Sequence, residues 1–584
     1  MKTHTIIDNQ DEAGKFLSSF DNTKMIVIYP LLITGKLLIG FFDKIHFGVV
    51  DYNRCKKETQ QFIHDYQGIA VFDRAKEAYK LFFKNQLNFP QKPVDLEVGA
   101  YLEDSTRKPD IVKIIEKKYL VSLQVEQVKA IDSTSNEDIF GDLETTPEID
   151  LLELEKNCKH YLVLAEEYLG SFTPELTKLW LEIESPLTAV LAKMELKGVF
   201  INKKKLSDIA VDLTNKSKLL ESEITDYLKV DNLNLNSSQQ LVEALQGVGF
   251  ALTKKSSSGK LSLDKYVLEG LVEKDDSGVI KKILKYRILT KLLSTYTANL
   301  IEQLDVNDRL HCNFDQTQAA TGRLSSNSPN LQNIPIRNND YGLVIRSCFT
   351  APKGKLLVRA DYSQIELRLL AHFTGDPVLK EAFELGQDIH SRTAAEIFEI
   401  PLSEVTKKQR SLGKTLNFAL LYQQGAFATA RQLEISVKEA RAFIEKYFAT
   451  FATVKPFIEQ VLAKAKVQGY SESICSRRRY FKYLNSTNKM LVKEDERAAF
   501  NMVLQGSNAD LIKIAMNQID KQIKEQKLQA NMILQVHDEL VFEVEEKDST
   551  TITELVQKTM TNPPIELSVP LVVDIGTGSN WAEC

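Results

Sequence analysis

Apolar residues come in short bursts along the first 130 positions, at 25–32 and 37–42, and give way to a helical spacing over Asp73–Phe83. Bursts of that length mixed with helical stretches predict an α/β unit over 1–130. Residues 133–156 are acidic and carry Ser, Thr and Pro, which predicts an exposed connection. A helical pattern begins near Thr173 and runs through Ser185–Lys197, and Gly198 is placed to stop it. Residues 203–300 read as largely helical, broken at Asn234–Leu241 and by the basic, Ser- and Gly-rich loop Lys254–Lys260. From 301 onward strands and helices interleave, and no internal repeat is found. Along this final stretch, apolar runs stop at acids in two places. Leu356–Ala360 reads as a strand that gives way to Asp361, after which Ser363-Gln-Ile-Glu366 opens a helix. Met532–Val536 and Leu540–Val544 flank His537-Asp538-Glu539, the pattern of a β-hairpin with acids at its tip.

The chain has 584 residues, 43% of them apolar, which suits several domains with sizeable cores. Apolar runs such as Met25–Leu32 are too short to span a bilayer. The first residues, Met1–Asp8, lack the apolar stretch of a secretory leader, so no membrane association is expected. Six cysteines (55, 158, 312, 348, 475 and 584) stand apart with no Cys-x-x-Cys, so neither disulfides nor a zinc site is expected and a cytoplasmic location is. The formal net charge of −5 weighs mildly against a nucleic-acid partner. Affinity for phosphates depends instead on where cations cluster. They cluster at Lys407, Lys408, Arg410 and Lys414, and again at Arg477, Arg478 and Arg479. A solvated helix face is the plainer account of either cluster alone.

Each motif has a plain reading and a chemical one. Asp361, at the C-terminal end of its strand, can reach a ligand or serve the fold alone; Ser363-x-x-Glu366 is also a capping box. Asp538 and Glu539 suit a polar turn. Yet strands as apolar as theirs imply a buried sheet, whose terminal acids need a partner such as a metal. Arg410, Lys414, Phe418 and Tyr422 recur every four residues and share one helical stripe, cations at one end and aromatics at the other. That suits a nucleoside triphosphate, as it also suits an amphipathic helix with a basic end. Arg497, Asn501 and Gln505 form a second stripe whose long polar side chains could read a minor groove or simply face water. Two carboxylates for a pair of hard divalent cations, together with a cationic stripe, are what nucleotidyl transfer needs.

Together these motifs resemble the family A DNA polymerases, the DNA polymerase I family. Asp361-Tyr-Ser-Gln-Ile-Glu-Leu-Arg368 is similar to motif A, Arg410-Ser-Leu-Gly-Lys-Thr-Leu-Asn-Phe-Ala-Leu-Leu-Tyr422 to motif B, and Gln535-Val-His-Asp-Glu-Leu540 to motif C. Thr321-Gly-Arg-Leu-Ser-Ser326, Pro329-Asn-Leu-Gln-Asn-Ile-Pro335 and Asp388-Ile-His390 match further signatures. The resemblance is strong over 181–584 and traceable before it. It implies a multidomain α/β and α+β chain: a right-hand polymerase of palm, fingers and thumb behind an N-terminal RNase H-like, exonuclease-type domain. The expected divisions are 1–178 for that domain, 179–300 for the first palm helix and thumb, 301–379 for palm with motif A, 380–495 for fingers with motif B, and 496–584 for palm with motif C.

The implied activity is DNA-directed DNA synthesis by a monomer acting on primer–template DNA and dNTPs. Two Mg²⁺ ions, replaceable by Mn²⁺, would be held by Asp361, Asp538 and the Tyr362 carbonyl, with Glu539 in support. The resemblance gives Arg410, Lys414, His390, Gln364, Phe418 and Tyr422 to the incoming nucleotide, Lys414 also as proton donor to pyrophosphate. Glu366 would be a steric gate against a ribose 2′-hydroxyl. Arg323, Asn330, Gln332, Asn333, Arg497, Asn501, Gln505 and His537 would touch the DNA or support its contacts. Phe418, where a Tyr hydroxyl could replace a missing 3′-hydroxyl, implies poor use of dideoxynucleotides. Two positions depart from the family's usual glycines: Ala419 and Gln423.

The resemblance of 1–178 to a 3′–5′ exonuclease domain rests on position, on Val71-Phe-Asp-Arg74 and on Val94–Tyr101. A working site there needs an Asp-x-Glu on the first strand and a Tyr-x3-Asp late in the domain. Met25–Pro30 has no carboxylate and His160–Ala165 lacks the Asp. Asp73 remains, before a helical run, and is expected to be an N-cap. No proofreading and no 5′-nuclease activity are therefore expected. Rival readings are a single-subunit RNA polymerase, a DNA-end exonuclease, a catalytically impaired DNA-binding scaffold, and a polymerase with appreciable reverse transcription. Glu366, the missing carboxylates, and the presence of both aspartates with Lys414 argue against the first three in turn.

Overall fold

The computed structural model describes residues 2–123, 149–230, 232–252, 254, 261–334 and 340–584. The chain divides into two compact units, each built from separated segments: 1–197, 312–328 and 358–577 form the first, and 198–311, 329–357 and 578–584 the second.

The first unit opens on a mixed six-stranded sheet of β1 (Lys2–Ile7), β2 (Ile26–Ile33), β3 (Lys36–Phe42), β4 (Phe47–Asp51), β5 (Ile69–Phe72) and β6 (Lys92–Asp95), ordered β1-β4-β3-β2-β5-β6. β2–β3–β4 is antiparallel, while β5 and β6 add in parallel beside β2. Strands covered by helices on both faces carry near-continuous apolar runs. Here Val27 and Val49 lie in one core, and Ile26, Ile28 and Ile39 in the other. The helix Leu151–Ser171 begins at the Asp150 cap, so 151–156 are helical rather than part of an exposed connection. Most of the rest of the expected connection lies outside the described residues, as does Lys254–Lys260 apart from Lys254. Asp73 is not a cap. The cap position of the helix Ala75–Lys84 is Arg74, and the Ala75 N–H goes to Asp95 Oδ2 at 2.9 Å.

The helical pattern near Thr173 forms in three parts: Pro174–Lys178, a wider π-helical turn over Leu179–Glu184, and Ser185–Lys197. Glu184, which ends the π turn, is fully buried. Its partners are Arg477 and Lys513, the latter at 2.6 Å. Arg477 also bonds Asp510 at 2.8 Å and is completely buried, so it belongs to no surface cluster. Arg478 and Arg479 stay half-exposed, over the rings of Tyr470 and Phe481. The second sheet has four strands in the order Ala530–Val536, Glu539–Glu545, Lys355–Tyr362 and Val573–Gly578. The 37-residue helix Lys489–Glu525 buries its middle, from Ala499 to Met516, almost continuously.

In the second unit the long helices Lys203–Leu228 and Val279–Leu293 pack together, and Leu228, Leu241, Leu245, Ile280 and Ile283 share one core. The break expected at Asn234–Leu241 ends sooner. Ser237 caps a helix over Ser238–Gly247, with its hydroxyl accepting from the Gln240 N–H. Among the described residues no helix is long and apolar enough to cross a membrane, and all six cysteines are free.

Candidate active site

The strand Lys355–Tyr362 runs between two neighbours and delivers Asp361 one residue before its end. The hairpin beside it turns on His537 and Asp538 alone, because Val536 pairs with Glu539. Glu539 is thus a strand residue, not a tip residue. His537 adopts a left-handed φ of 56° to make that turn. The Tyr362 N–H donates to the Asp538 carbonyl at 3.2 Å, which fixes the turn against the end of the strand. Burial, and then the charges of Glu539 and Asp538, push the Asp361 carboxyl up to about 6 against the relief given by Arg359. The acids around Asp361, Glu539 foremost and Asp538 with it, therefore repel it by more than Arg359 relieves.

Arg359, two residues before Asp361 and so on the same face of the strand, donates to Asp361 at 2.9 Å and to buried Glu539. Asn508 Nδ2 donates to Asp538 Oδ1 at 2.6 Å. Neither residue stood out in the sequence. The signal available for Arg359 was the strand's period of two, which places it on the face of Asp361, and Asn508 lies three residues past Gln505 on the same helix. Among the described residues no group of three or more His, Cys, Asp or Glu is arranged to hold a metal. Two mutually repelling carboxylates nevertheless fit Mg²⁺, which keeps waters and substrate oxygens among its ligands and takes one or two carboxylates from the protein.

Glu366 is not half of a capping box. Its helix starts at Ile365 behind Gln364, which adopts φ 55° and caps nothing. Glu366 is buried instead with Arg323 on one oxygen and the Tyr422 hydroxyl 3.5 Å from the other. Burial raises its pKa, and Arg323 opposes the shift. The expected stripe is present on the helix Lys407–Leu421, started by a capping box between Thr406 and Gln409. Tyr422 stands at its C-cap, one residue beyond the helix. Arg410 makes a two-pronged bond to Asp388, 2.9 Å in each arm. Burial would raise Asp388, but the bonds from Arg410 and Ser391 outweigh it and lower its pKa. His390 is buried with Nδ1 3.0 Å from Asn417 Nδ2, and its ring lies 5.8 Å from that of Phe418. This approach needs Gly413, where a Cβ would strike the His390 carbonyl. Lys414 is half-buried on the same helix.

Past the helix, Gln423 takes φ 48°, a left-handed geometry that glycine adopts without strain. Its N–H bonds the Leu420 carbonyl at 3.0 Å, so the turn survives the departure from glycine. The side-chain nitrogen is buried without a hydrogen-bond partner. Gln423→Gly is accordingly expected to stabilise the protein by about 1 kcal/mol. A lower unfolding midpoint in a denaturant titration would show that the glutamine is doing something the turn needs.

Arg497, exposed, and Asn501 and Gln505, half-buried, lie at four-residue intervals on Lys489–Glu525. Asn330, Gln332 and Asn333 belong to the second unit, where Asn330 accepts from the Gln332 N–H to start a short 3₁₀ turn. In the N-terminal layer, Asp73 lies 3.6 Å from Arg74, and burial raises its pKa. Strand β2 brings no carboxylate, and Tyr161, Leu162 and Leu164 of the late segment are core residues.

A family model described as DNA polymerase family A matches residues 203–583. This chain belongs to that family. DNA polymerase I of Borreliella burgdorferi is 36% identical over 582 residues, covering 98% of this chain and 62% of that protein. DNA polymerase I of Pseudomonas aeruginosa is 42% identical over 412 residues, covering 70% of this chain and 45% of its own. The chain thus spans about half to three-fifths of the length of these curated relatives. A solved structure of the POL domain of Pol1 from M. smegmatis, in complex with DNA primer-template and dNTP, superposes with a TM-score of 0.87. It is 29% identical and covers 99% of this chain and all of its own. The mixed α/β architecture of this family A chain is therefore that of a DNA polymerase I polymerase domain, first 200 residues included.

Proposed function

We propose that this family A chain is a DNA-directed DNA polymerase that adds dNTPs to a primer 3′-hydroxyl, with 301–379 and 496–584 serving as palm, 380–495 as fingers and 179–300 as first palm helix and thumb. The observation that carries the reading is the pair Asp361 and Asp538. They sit at the ends of neighbouring strands, with the Arg410–Lys414–Phe418–Tyr422 helix in the same compact unit. Asp361, Asp538 and the Tyr362 carbonyl would hold two Mg²⁺ ions, whose chemistry is to acidify the attacking hydroxyl and neutralise charge on the triphosphate. Arg359 would turn from Asp361 toward Glu539 when that charge arrives. Asn508 keeps the Asp538 carboxylate aimed. Arg410 and Lys414 bind the phosphates, Arg410 after exchanging Asp388 for them, and Lys414 supplies a proton to the leaving pyrophosphate. Phe418 packs on the nucleotide, and Arg497, Asn501 and Gln505 face the duplex. With no carboxylate on β2 and Asp73 paired to Arg74, the N-terminal layer does not proofread.

The test is extension of a primed DNA template by the purified chain with Mg²⁺ and either dNTPs or NTPs. Extension with dNTPs alone supports the reading. Its absence with Mg²⁺ and with Mn²⁺ would leave a DNA-binding role without chemistry.

Two substitutions probe the sugar side. Glu366→Ala is expected to lower the dNTP-over-NTP preference by roughly ten- to a hundredfold, since it empties the space a 2′-hydroxyl would need. An unchanged preference places the gate elsewhere. Phe418→Tyr is expected to raise dideoxynucleotide use relative to dNTPs by about tenfold or more, through one added hydrogen bond. A competition assay giving the wild-type ratio would remove that role from Phe418.

A further inference from the structure

Among the described residues of the N-terminal layer no group of three or more His, Cys, Asp or Glu is arranged to hold a metal, yet the layer reaches one turn beside Glu366. Tyr101, on the helix Leu96–Glu103, is fully buried and donates its hydroxyl to the Ala319 carbonyl at 2.6 Å. The same carbonyl accepts the Gly322 N–H at 2.9 Å, closing a tight turn over 319–322. Gly322 has φ 83°, and a side chain there would collide with the Arg477 guanidinium. Arg477 is itself held by Glu184 and Asp510. The next residue is Arg323, which holds Glu366. The turn carrying Arg323 is thus fastened by Tyr101 through its carbonyl and walled by Arg477 at its glycine.

Other ties run from the same layer to the strand that leads into the turn. Lys76 Nζ donates to Asn313 Oδ1 at 2.7 Å and to the Phe314 carbonyl at 2.6 Å, and Lys108 meets Asp315 at 3.3 Å. Packing alone does not explain the Tyr101 hydroxyl. A phenol buried for its ring does not need this carbonyl: the Tyr161 hydroxyl, buried in the same layer, makes no hydrogen bond. Burial pushes the Tyr101 phenol up to about 12, so it remains a donor throughout the neutral range.

We propose that Tyr101 is a positioning residue for sugar selection: its hydroxyl sets the 319–322 turn, hence where Arg323 holds Glu366. The proposal rests on the reading of Glu366 as the sugar gate. It gives the exonuclease-like layer a task in the polymerase reaction that needs none of the missing carboxylates.

The test is Tyr101→Phe in the full chain, alone and combined with Glu366→Ala, with two readouts. Hydrogen exchange at the amides of 319–323 reads the turn itself and does not depend on activity. Single-nucleotide incorporation gives kcat and KM for dNTP and NTP. Tyr101→Phe is expected to speed exchange at 319–323 at least severalfold. It is also expected to lower the dNTP-over-NTP preference roughly three- to tenfold, mainly by raising KM for dNTP. In the Glu366→Ala background it should leave the preference unchanged. Unaltered exchange at 319–323 overturns the proposal. So does an unaltered preference in a wild-type background that discriminates, even with a lowered unfolding midpoint, and so does an equal fall in both backgrounds. If the wild type itself does not prefer dNTPs, or Glu366→Ala does not relax that preference, the gate reading has failed, and the exchange data alone then judge the brace.

Discussion

Primer extension should fall by at least about a thousandfold when Asp361 is changed to asparagine, while the metal-free protein becomes harder to unfold. The two effects share a cause. Asp361 is held at about 6, against an ordinary 3.8, by burial and by the charges of Glu539 and Asp538. A carboxyl whose pKa is raised by folding favours the folded state only while protonated. That contribution is complete below about pH 4 and is lost as the pH climbs through about 6. Near neutrality the ionised site works against the fold. The full shift corresponds to about 3 kcal/mol, and exposure of one-third of the side chain to water reduces this to about 1–2 kcal/mol. Asparagine removes the repulsion. If Asp361 is a metal ligand as proposed, Mg²⁺ should raise the melting temperature of the wild type and do little for the variant, which keeps only Asp538 of the proposed carboxylate pair. Melts at pH 7.5 with EDTA and with Mg²⁺ decide the matter. A variant that melts below wild type in EDTA, or extends primers within tenfold of it, would remove Asp361 from the metal site.

The second large effect separates adjacent arginines. Arg477→Met is expected to destabilise the protein by about 3–5 kcal/mol, because it leaves Glu184 and Asp510 buried without their shared cation. Lys513, which pairs with Glu184, then leaves one cation for two buried carboxylates. Arg478, half-exposed and 3.2 Å from Glu472, should cost under about 1 kcal/mol when changed to alanine. Chemical denaturation of the two variants makes the comparison. Similar losses would mean that the buried cluster relaxes or takes in water when its arginine goes.

That contrast also marks how far the chain could be read from its residues alone. Arg477, Arg478 and Arg479 looked alike because a run of cations carries no record of which will be enclosed. What encloses Arg477 comes from Glu184 and Asp510, far away in the chain. Periodicity did show the strand that delivers Asp361 and the hairpin around Asp538, since both are set by residues within a few positions. The capping box at Glu366 failed for the opposite reason: a local motif lost to distant partners, Arg323 and Tyr422. Asp73 lost its capping place to Asp95 in the same way. The departure at Gln423 was visible, but only the backbone shows that glutamine accepts the left-handed turn.

The order of strands in the second sheet has a consequence for biosynthesis. Lys355–Tyr362 is an inner strand, and both of its neighbours, Glu539–Glu545 and Val573–Gly578, are translated long after it. On the ribosome the helix bearing Arg410 and Lys414 emerges complete while Asp361 still has no counterpart. Contacts so distant along the chain close slowly. A nascent chain therefore completes the helix Lys407–Leu421 well before the hairpin that carries Asp538 can dock beside Asp361.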